Sequence, residues 1–317
     1  MPDLLITRAL PDAVLAAAEE FATVTLRDVT DPMGAAEAHA ALHRYDAILP
    51  TLGDGFAAAA FEGGPFRCRG LANFGVGYNH IDTAAAAAAG LIVTNTPGAV
   101  TDATADIALT LMLMSCRRAG EGERLVRAGA WTGWQPTQML GLHMSGKMVG
   151  IVGMGRIGKA IAARAHLGFG MEVVFYNRSP VLEPGVPARQ VERLEDVLGA
   201  ADIVVLAVPA TAETHHLIDA AALAAMKPTG RLINIARGDV VDEAALVEAL
   251  EAGRIAGAGL DVYEREPVVP ERLMALENVV LLPHLGTAAL EVREAMGFMA
   301  LDNARAILEG RTPPNPV

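Results

Sequence analysis

Short apolar runs of strand length alternate with helical patterns along the whole chain, and no other feature narrows the fold as far. The first series occupies residues 4–7, 24–29, 47–52, 71–76 and 91–94, with helical stretches at 12–21 and 83–89 between them. Nearly all-apolar strands separated by helices predict a parallel sheet covered on both faces. From residue 148 the pattern restarts, at 148–152, 172–176, 203–208, 231–235, 258–262 and 279–282. That second series is long enough for a doubly wound sheet. Between the two, residues 101–126 predict one long helix, capped by Thr101, with Ile107, Leu111 and Met114 on one stripe. Residues 288–308 predict a second, with Gly310 past its end. A helix after the last strand can return to the first domain. The expected division is therefore 1–97 with 287–317, and 98–286, with Pro97-Gly98 and 285–288 as hinges about which two domains would close on a ligand.

At 317 residues, 52% of them hydrophobic, the chain has apolar material for two cores. The net charge is -12, and lysine occurs only at Lys147, Lys159 and Lys227, so a face that tracks nucleic-acid backbone is not expected. Cys68 and Cys116 make no disulfide framework, which sets a cytoplasmic location as the default. The start, Met1-Pro2-Asp3-Leu4-Leu5, lacks the features of a signal peptide, and no apolar run approaches a membrane span. The histidine pairs His215-His216 and His39/His43 lack companion ligands at metal spacing, so no metal is expected.

Gly153-Met154-Gly155-Arg156-Ile157-Gly158 is a G-x-G-x-x-G that follows a strand and opens a helix rich in small residues. The first glycine permits a tight turn, the second admits a pyrophosphate to the backbone, and the third lets helix and strand pack closely. The helix amino terminus adds free N–H groups and a positive dipole. This is a dinucleotide site. Where an NAD-selective site carries an acidic residue at the end of the second strand, this chain reads Asn177-Arg178-Ser179. A carboxylate there would repel a 2′-phosphate, whereas Arg178 can bind it, with Asn177 and Ser179 as neutral partners. NADP(H) is therefore expected in preference to NAD(H).

Ligands of an open parallel sheet sit outside the carboxyl ends of its strands. Those ends carry Arg237 after 231–235, Glu264 and Glu266 after 258–262, and His284 after 279–282. Reducing a 2-keto acid needs a cation for the carboxylate and keto oxygen, which Arg237 offers. It also needs a proton donor, which His284 offers. A carboxylate on the other ring nitrogen would orient the imidazole; Glu266 fits that role, with Glu264 as competitor.

The chain resembles the D-isomer-specific 2-hydroxyacid dehydrogenase family over essentially its full length. The stretches that carry the resemblance are Asn73 through Asp82, Thr101 through Asp106, Gly146 through Gly158, Asn234-Ile235-Ala236-Arg237-Gly238, Gly259 through Pro267, and Pro283-His284-Leu285-Gly286. The fold class implied is α/β, with two doubly wound parallel-sheet domains, a Rossmann dinucleotide-binding domain inserted into a flavodoxin-like substrate domain. The resemblance makes Arg237, Glu266 and His284 the catalytic trio, and favours Glu266, before the proline, over Glu264. It implies that Val76 and Gly77 N–H groups hold the substrate carboxylate, that Leu52 and Gly53 help bound the substrate pocket, and that Asp261 binds the nicotinamide amide. Thr104, Val208, Pro209, Thr214, Ile235, Ala236 and Gly286 would line the cofactor cleft.

Within the family the chain looks most like glyoxylate/hydroxypyruvate reductases. Trp131-Thr132-Gly133-Trp134-Gln135-Pro136 resembles their arm around a second subunit, which implies a homodimer with Trp134 reaching the neighbour's substrate pocket. The activity implied is NADPH-dependent reduction of glyoxylate or hydroxypyruvate to the D-2-hydroxy acid. Two alternatives stay open: the same chemistry on a bulkier acid such as phenylpyruvate, and a dinucleotide-sensing, co-repressor-like binding protein. No regulatory domain or added interaction segment is expected beyond the two domains.

Overall fold

Both series of apolar runs form parallel sheets. The computed structural model describes residues 1–317, which divide into two units, Met1–Val100 with Thr287–Val317, and Thr101–Gly286. The sequence pattern places the first crossing at Pro97-Gly98; the contacts place it at Val100/Thr101, where the long helix begins.

In the first unit, β1 (Asp3–Ile6), β2 (Thr23–Leu26), β3 (Ala47–Leu49), β4 (Gly70–Ala72) and β5 (Ile92–Thr94) line up in the order β2-β1-β3-β4-β5, the flavodoxin-like order. Adjacent residues point to opposite faces, so the three inner strands feed two cores. Leu5, Ile48 and Leu71 pack with Leu42 of α2 (Ala35–Arg44) and Ala86 of α3 (Thr83–Ala88). Leu4, Ile6, Leu49 and Ala72 pack with Val14 of α1 (Asp12–Glu19) and Ala300, Leu301 and Ala304 of the last helix, α11 (Leu290–Leu308). The alanine tract is an ordinary helix: the Asp82 side chain caps it by accepting from Ala85 N at 2.9 Å.

The second unit contains β6 (Met148–Val152), β7 (Glu172–Tyr176), β8 (Ala188–Val191), β9 (Ile203–Leu206), β10 (Arg231–Asn234), β11 (Gly257–Leu260) and β12 (Val279–Leu281). Their order is β12-β11-β10-β9-β6-β7-β8, all parallel. The strand order reverses between β6 and β9, which puts the ligand crevice at the carboxyl ends of those two strands. One face is covered by α4 (Thr101–Arg117) and α6 (Arg156–Phe169), the other by α7 (Leu194–Ala200), α8 (Ala220–Ala225) and α9 (Glu243–Glu251); α5 (Ala119–Arg127) and the short α10 (Glu271–Met274) complete the unit. None of the helices is long and apolar enough to cross a membrane.

Two local readings differ from the pattern. The strand β8 was not expected, because Ala188-Arg189-Gln190-Val191 has no apolar run; it is an edge strand paired only with β7. The helix expected over 101–126 is two helices. At Arg118 the backbone turns left-handed, φ 51°, and the Cys116 carbonyl accepts from Leu142 N at 2.8 Å instead of continuing the ladder. Gly120 and Gly122 beyond it give the helix little intrinsic reason to run on.

Candidate active site

The glycine loop joins β6 to α6. Gly153 has φ +99°, and a Cβ there would lie 2.7 Å from the Ala207 carbonyl oxygen. At Gly158 a Cβ would collide with the Gly153 carbonyl, so the third glycine is what lets the first turn of α6 close on the loop. Gly155 is different: open space surrounds the position a Cβ would take, and no side chain caps the helix. An uncapped helix amino terminus beside an open backbone fits a dinucleotide pyrophosphate, with Arg156 and Ile157 supplying N–H groups of the first turn.

Beyond β7, the Asn177-Arg178-Ser179 turn is tied on several sides. Asn177 Oδ1 accepts from Met154 N (3.1 Å), and its Nδ2 donates to Ser179 O (2.9 Å). Gln190, on β8, donates to Asn177 O (3.3 Å) and Ser179 O (3.1 Å) and accepts from Val181 N (2.9 Å). The amide expected to be a ligand partner thus also shapes the loop. Gln190 was missed because it reaches the site from a strand with no apolar signal. Arg178 is exposed and makes no hydrogen bond. The Glu213 carboxyl is held below its ordinary range by a Thr211 hydrogen bond and its own backbone N–H, with a smaller contribution from the Arg178 charge.

The catalytic candidates meet at the ends of β10, β11 and β12. Asn234 shapes the β10 end, accepting from Ala236 N (3.0 Å) and donating to Arg237 O (2.8 Å). Gly238 comes so close to Tyr263 and Glu264 that a Cβ would overlap their backbone, and this brings the Arg237 turn against the β11 turn. The Arg237 guanidinium donates from Nη1 to Ala236 O (2.7 Å), while its buried Nε has no partner. Burial draws its pKa down, opposed by the charges of Glu266 and Asp239. A cation short of acceptors is what an incoming anion would find.

His284 Nδ1 donates to Glu266 Oε2 at 2.8 Å, and Glu266 Oε1 accepts from Tyr263 N at 3.1 Å. Burial pushes the Glu266 carboxyl up, but the His284 hydrogen bond and charge, the Tyr263 N–H and Arg237 outweigh it and leave the pKa below the ordinary value. Glu264 instead faces His216 (3.6 Å), so geometry separates the two glutamates. His284 has a left-handed backbone, φ 54°, which few non-glycine residues adopt. Asp261, 2% exposed, holds it there: its carbonyl accepts from His284 N (2.9 Å), and its carboxylate accepts from Leu285 N (2.6 Å) and Gly286 N (2.8 Å). Thr104 Oγ1 donates to Gly286 O (3.2 Å) and fixes the same turn from α4. Asp261 therefore has a positioning task that its residue type alone did not announce.

The other expected residues lie as follows. Thr214 Oγ1 donates to Pro209 O (2.7 Å) and accepts from Thr211 N (2.8 Å), stapling the loop after β9 that carries Val208. Ile235 and Ala236 are buried beside Arg237. In the first unit, Asn73 Nδ2 donates to Gly75 O and Gly77 O (both 3.1 Å), and Asn95 Nδ2 to Val76 O (2.9 Å). The Val76 and Gly77 N–H groups themselves donate to no backbone acceptor. Leu52 and Gly53 follow β3, Gly53 at φ +88°. Trp134 is 80% exposed on the segment after α5. His215 and His216 stack on each other, 4.0 Å between centroids. Burial pushes the Cys68 thiol up to about 12 and Cys116 to about 11, so neither is a ready nucleophile.

A crevice built on a glycine loop, with a guanidinium and a carboxylate–imidazole pair along the same sheet edge, defines a dinucleotide-binding domain of the oxidoreductase class. The NAD binding domain of the D-isomer specific 2-hydroxyacid dehydrogenases matches residues 109–286. The glyoxylate reductase of Thermococcus kodakarensis is 43% identical over 319 residues, covering 99% of this chain and 95% of that protein. A Thermus thermophilus protein of known structure is similar with a TM-score of 0.91 at 42% identity, covering 99% of both chains. The NADPH-dependent glyoxylate/hydroxypyruvate reductase of Sinorhizobium meliloti, solved with NADP and malonate, is similar with a TM-score of 0.89 at 37% identity, over 100% of this chain and 96% of that one. The chain belongs to the D-isomer specific 2-hydroxyacid dehydrogenase family.

Proposed function

We propose that this protein reduces a small 2-keto acid, glyoxylate or hydroxypyruvate, to the D-2-hydroxy acid with NADPH. The observation that carries the reading is the His284–Glu266 pair at 2.8 Å beside a guanidinium with an unpartnered buried Nε. When bound, the nicotinamide supplies the hydride. His284, held through Nδ1, has Nε2 free to deliver the proton to the keto oxygen as it becomes a hydroxyl. Glu266 keeps the ring oriented and stabilises its charged form. Arg237 binds the carboxylate and the keto oxygen, where negative charge builds up during reduction. The open Gly155 and the first turn of α6 take the pyrophosphate, and Arg178 takes the 2′-phosphate. Asp261 is proposed to accept from the nicotinamide amide with the lone pairs left free by Leu285 and Gly286.

The Val76 and Gly77 N–H groups suit a carboxylate by their own loop geometry. By family likeness the working form is a homodimer, with Trp134 as an aromatic contact to the partner's substrate. Steady-state kinetics over a panel of keto acids with both reduced cofactors tests the reading. Turnover of glyoxylate and hydroxypyruvate, with a lower KM for NADPH than for NADH, is expected. A preference for phenylpyruvate would replace the substrate assignment, equal KM values would remove the 2′-phosphate contact, and absence of turnover would favour a dinucleotide-sensing role.

A further inference from the structure

Arg237, Glu266 and His284 stand on three different turns, and one residue that the chemistry does not use touches all three. Gly238, next after Arg237, packs so closely on Tyr263 that a Cβ would overlap the Tyr263 carbonyl. The Tyr263 N–H donates to Glu266 Oε1 at 3.1 Å. The Tyr263 hydroxyl donates to the Leu282 carbonyl at 2.9 Å, two residues ahead of His284. Leu282 N–H in turn donates to Leu260 O at 2.9 Å, so both backbone groups of Leu282 tie the end of β12 to the β11 segment. Tyr263 is 8% exposed and shares a core with Val240, Val241 and Leu260. Burial, then the charges of Asp261, Glu266 and Glu243, push its phenol pKa up, so the hydroxyl stays a neutral donor at any pH where an imidazole changes charge.

A core is filled by the ring alone, whereas a buried hydroxyl needs a partner. Here that partner lies on the strand end that carries the proton donor. Asp261 sets the conformation of the His284 turn, through His284 N, Leu285 N and Gly286 N. The separation of that turn from Glu266 is a different quantity, and the Tyr263 contacts span it. We propose that Tyr263 is a positioning residue for the reduction, its hydroxyl fixing the span between the Glu266 carboxylate and the His284 ring. The role rests on the reading of His284 as proton donor and acts through the pair, since the one phenolic proton is committed to Leu282.

Tyr263→Phe removes the hydroxyl and keeps the ring and the N–H to Glu266. The kcat for glyoxylate should fall by about two- to tenfold, the worth of one neutral hydrogen bond, with the KM for keto acid and NADPH held within about twofold. In the double variant with Glu266→Gln the loss should not exceed that of Glu266→Gln alone, because a hydroxyl that acts through the pair has nothing left to place. A second readout is independent of turnover. The His284 Nδ1 proton, donated to a carboxylate, gives a far-downfield 1H–15N signal, assigned by its loss in His284→Gln. In Tyr263→Phe that signal should move upfield and exchange faster with water. An unchanged kcat, a rise confined to KM, losses that multiply in the double variant, or an unmoved Nδ1 signal each overturn the proposal and leave Tyr263 a core residue. Absence of keto-acid turnover in the parent overturns the functional reading instead, and the Nδ1 signal then decides by itself whether Tyr263 sets the pair.

Discussion

The two halves of the crevice are built on opposite principles. At β6, β7 and β8 the structure is held by neutral hydrogen bonds through Asn177 and Gln190, and its one relevant charge, Arg178, is exposed. At β10, β11 and β12, Arg237 and Asp261 are drawn out of water, and Glu266 and His284 pair at 2.8 Å at the partly open rim beside them. The first half has to recognise a group whose charge does not change, so one fixed cation on a loop of set shape suffices. The second has to act on charge that develops during reduction, and an electrostatic interaction strengthens as water is excluded. Loss of a charge or proton in the catalytic half should therefore appear in kcat, and loss of Arg178, or of the loop shape that places it, in the KM for the cofactor.

The largest effect expected is at His284. His284→Ala should lower kcat by about a hundredfold to ten-thousandfold, the usual worth of a positioned acid, while KM for the keto acid changes little. A change confined to KM would move His284 from proton donor to binding residue. Glu266→Gln keeps a hydrogen-bonding group but removes the charge, and kcat should fall by about ten- to a hundredfold.

Glu266 also has a pH signature. Its folded pKa lies below the unfolded value of about 4.3, so its contribution to stability is full above that pH and is lost as the pH falls through the folded value. The Tm difference between wild type and Glu266→Gln should narrow below about pH 4. A difference constant from pH 7 downward would mean that the carboxylate is not preferentially ionised in the folded state.

The same contrast decides what could be read beforehand. The glycine loop was legible because its spacing carries steric demands, which Gly153 and Gly158 meet at the Ala207 and Gly153 carbonyls, while Gly155 leaves its surroundings open. Arg237, Glu266 and His284 were legible because parallel strands put whatever follows them on one edge. Asp261, Asn234 and Gln190 were less so. They act on backbone N–H and carbonyl groups of other turns, and no periodicity records which turn a buried carboxylate or amide will meet. The strand β8 was hidden for a related reason: an edge strand needs no apolar run, and Gln190 projects from it toward a loop rather than a core. The break at Arg118 depended on Leu142, distant in sequence, taking the Cys116 carbonyl.

On the dinucleotide half, Arg178→Ala should raise the KM for NADPH by about ten- to a hundredfold, the worth of hydrogen bonds from a charged group, and leave NADH nearly unchanged. Equal losses for both cofactors would remove the 2′-phosphate from its role.

The smallest effect is the sharpest test of shape against charge. Gln190→Ala removes an acceptor for Val181 N and two donors to the Asn177 and Ser179 carbonyls, while Asn177, Arg178 and Ser179 themselves are all retained. Neutral hydrogen bonds are worth about 0.5–1.5 kcal/mol each, so the KM for NADPH should rise by roughly two- to tenfold. NADH and kcat should be nearly unaffected, since the trio sits on other strands. Gln190→Glu keeps the Val181 acceptor, gives up the donors and adds a negative charge near Arg178. It should therefore weaken NADPH further than Gln190→Ala while sparing NADH. If both variants raise the two KM values equally, Gln190 serves only to pair and stabilise β8, and the placement of Arg178 rests on Asn177 alone.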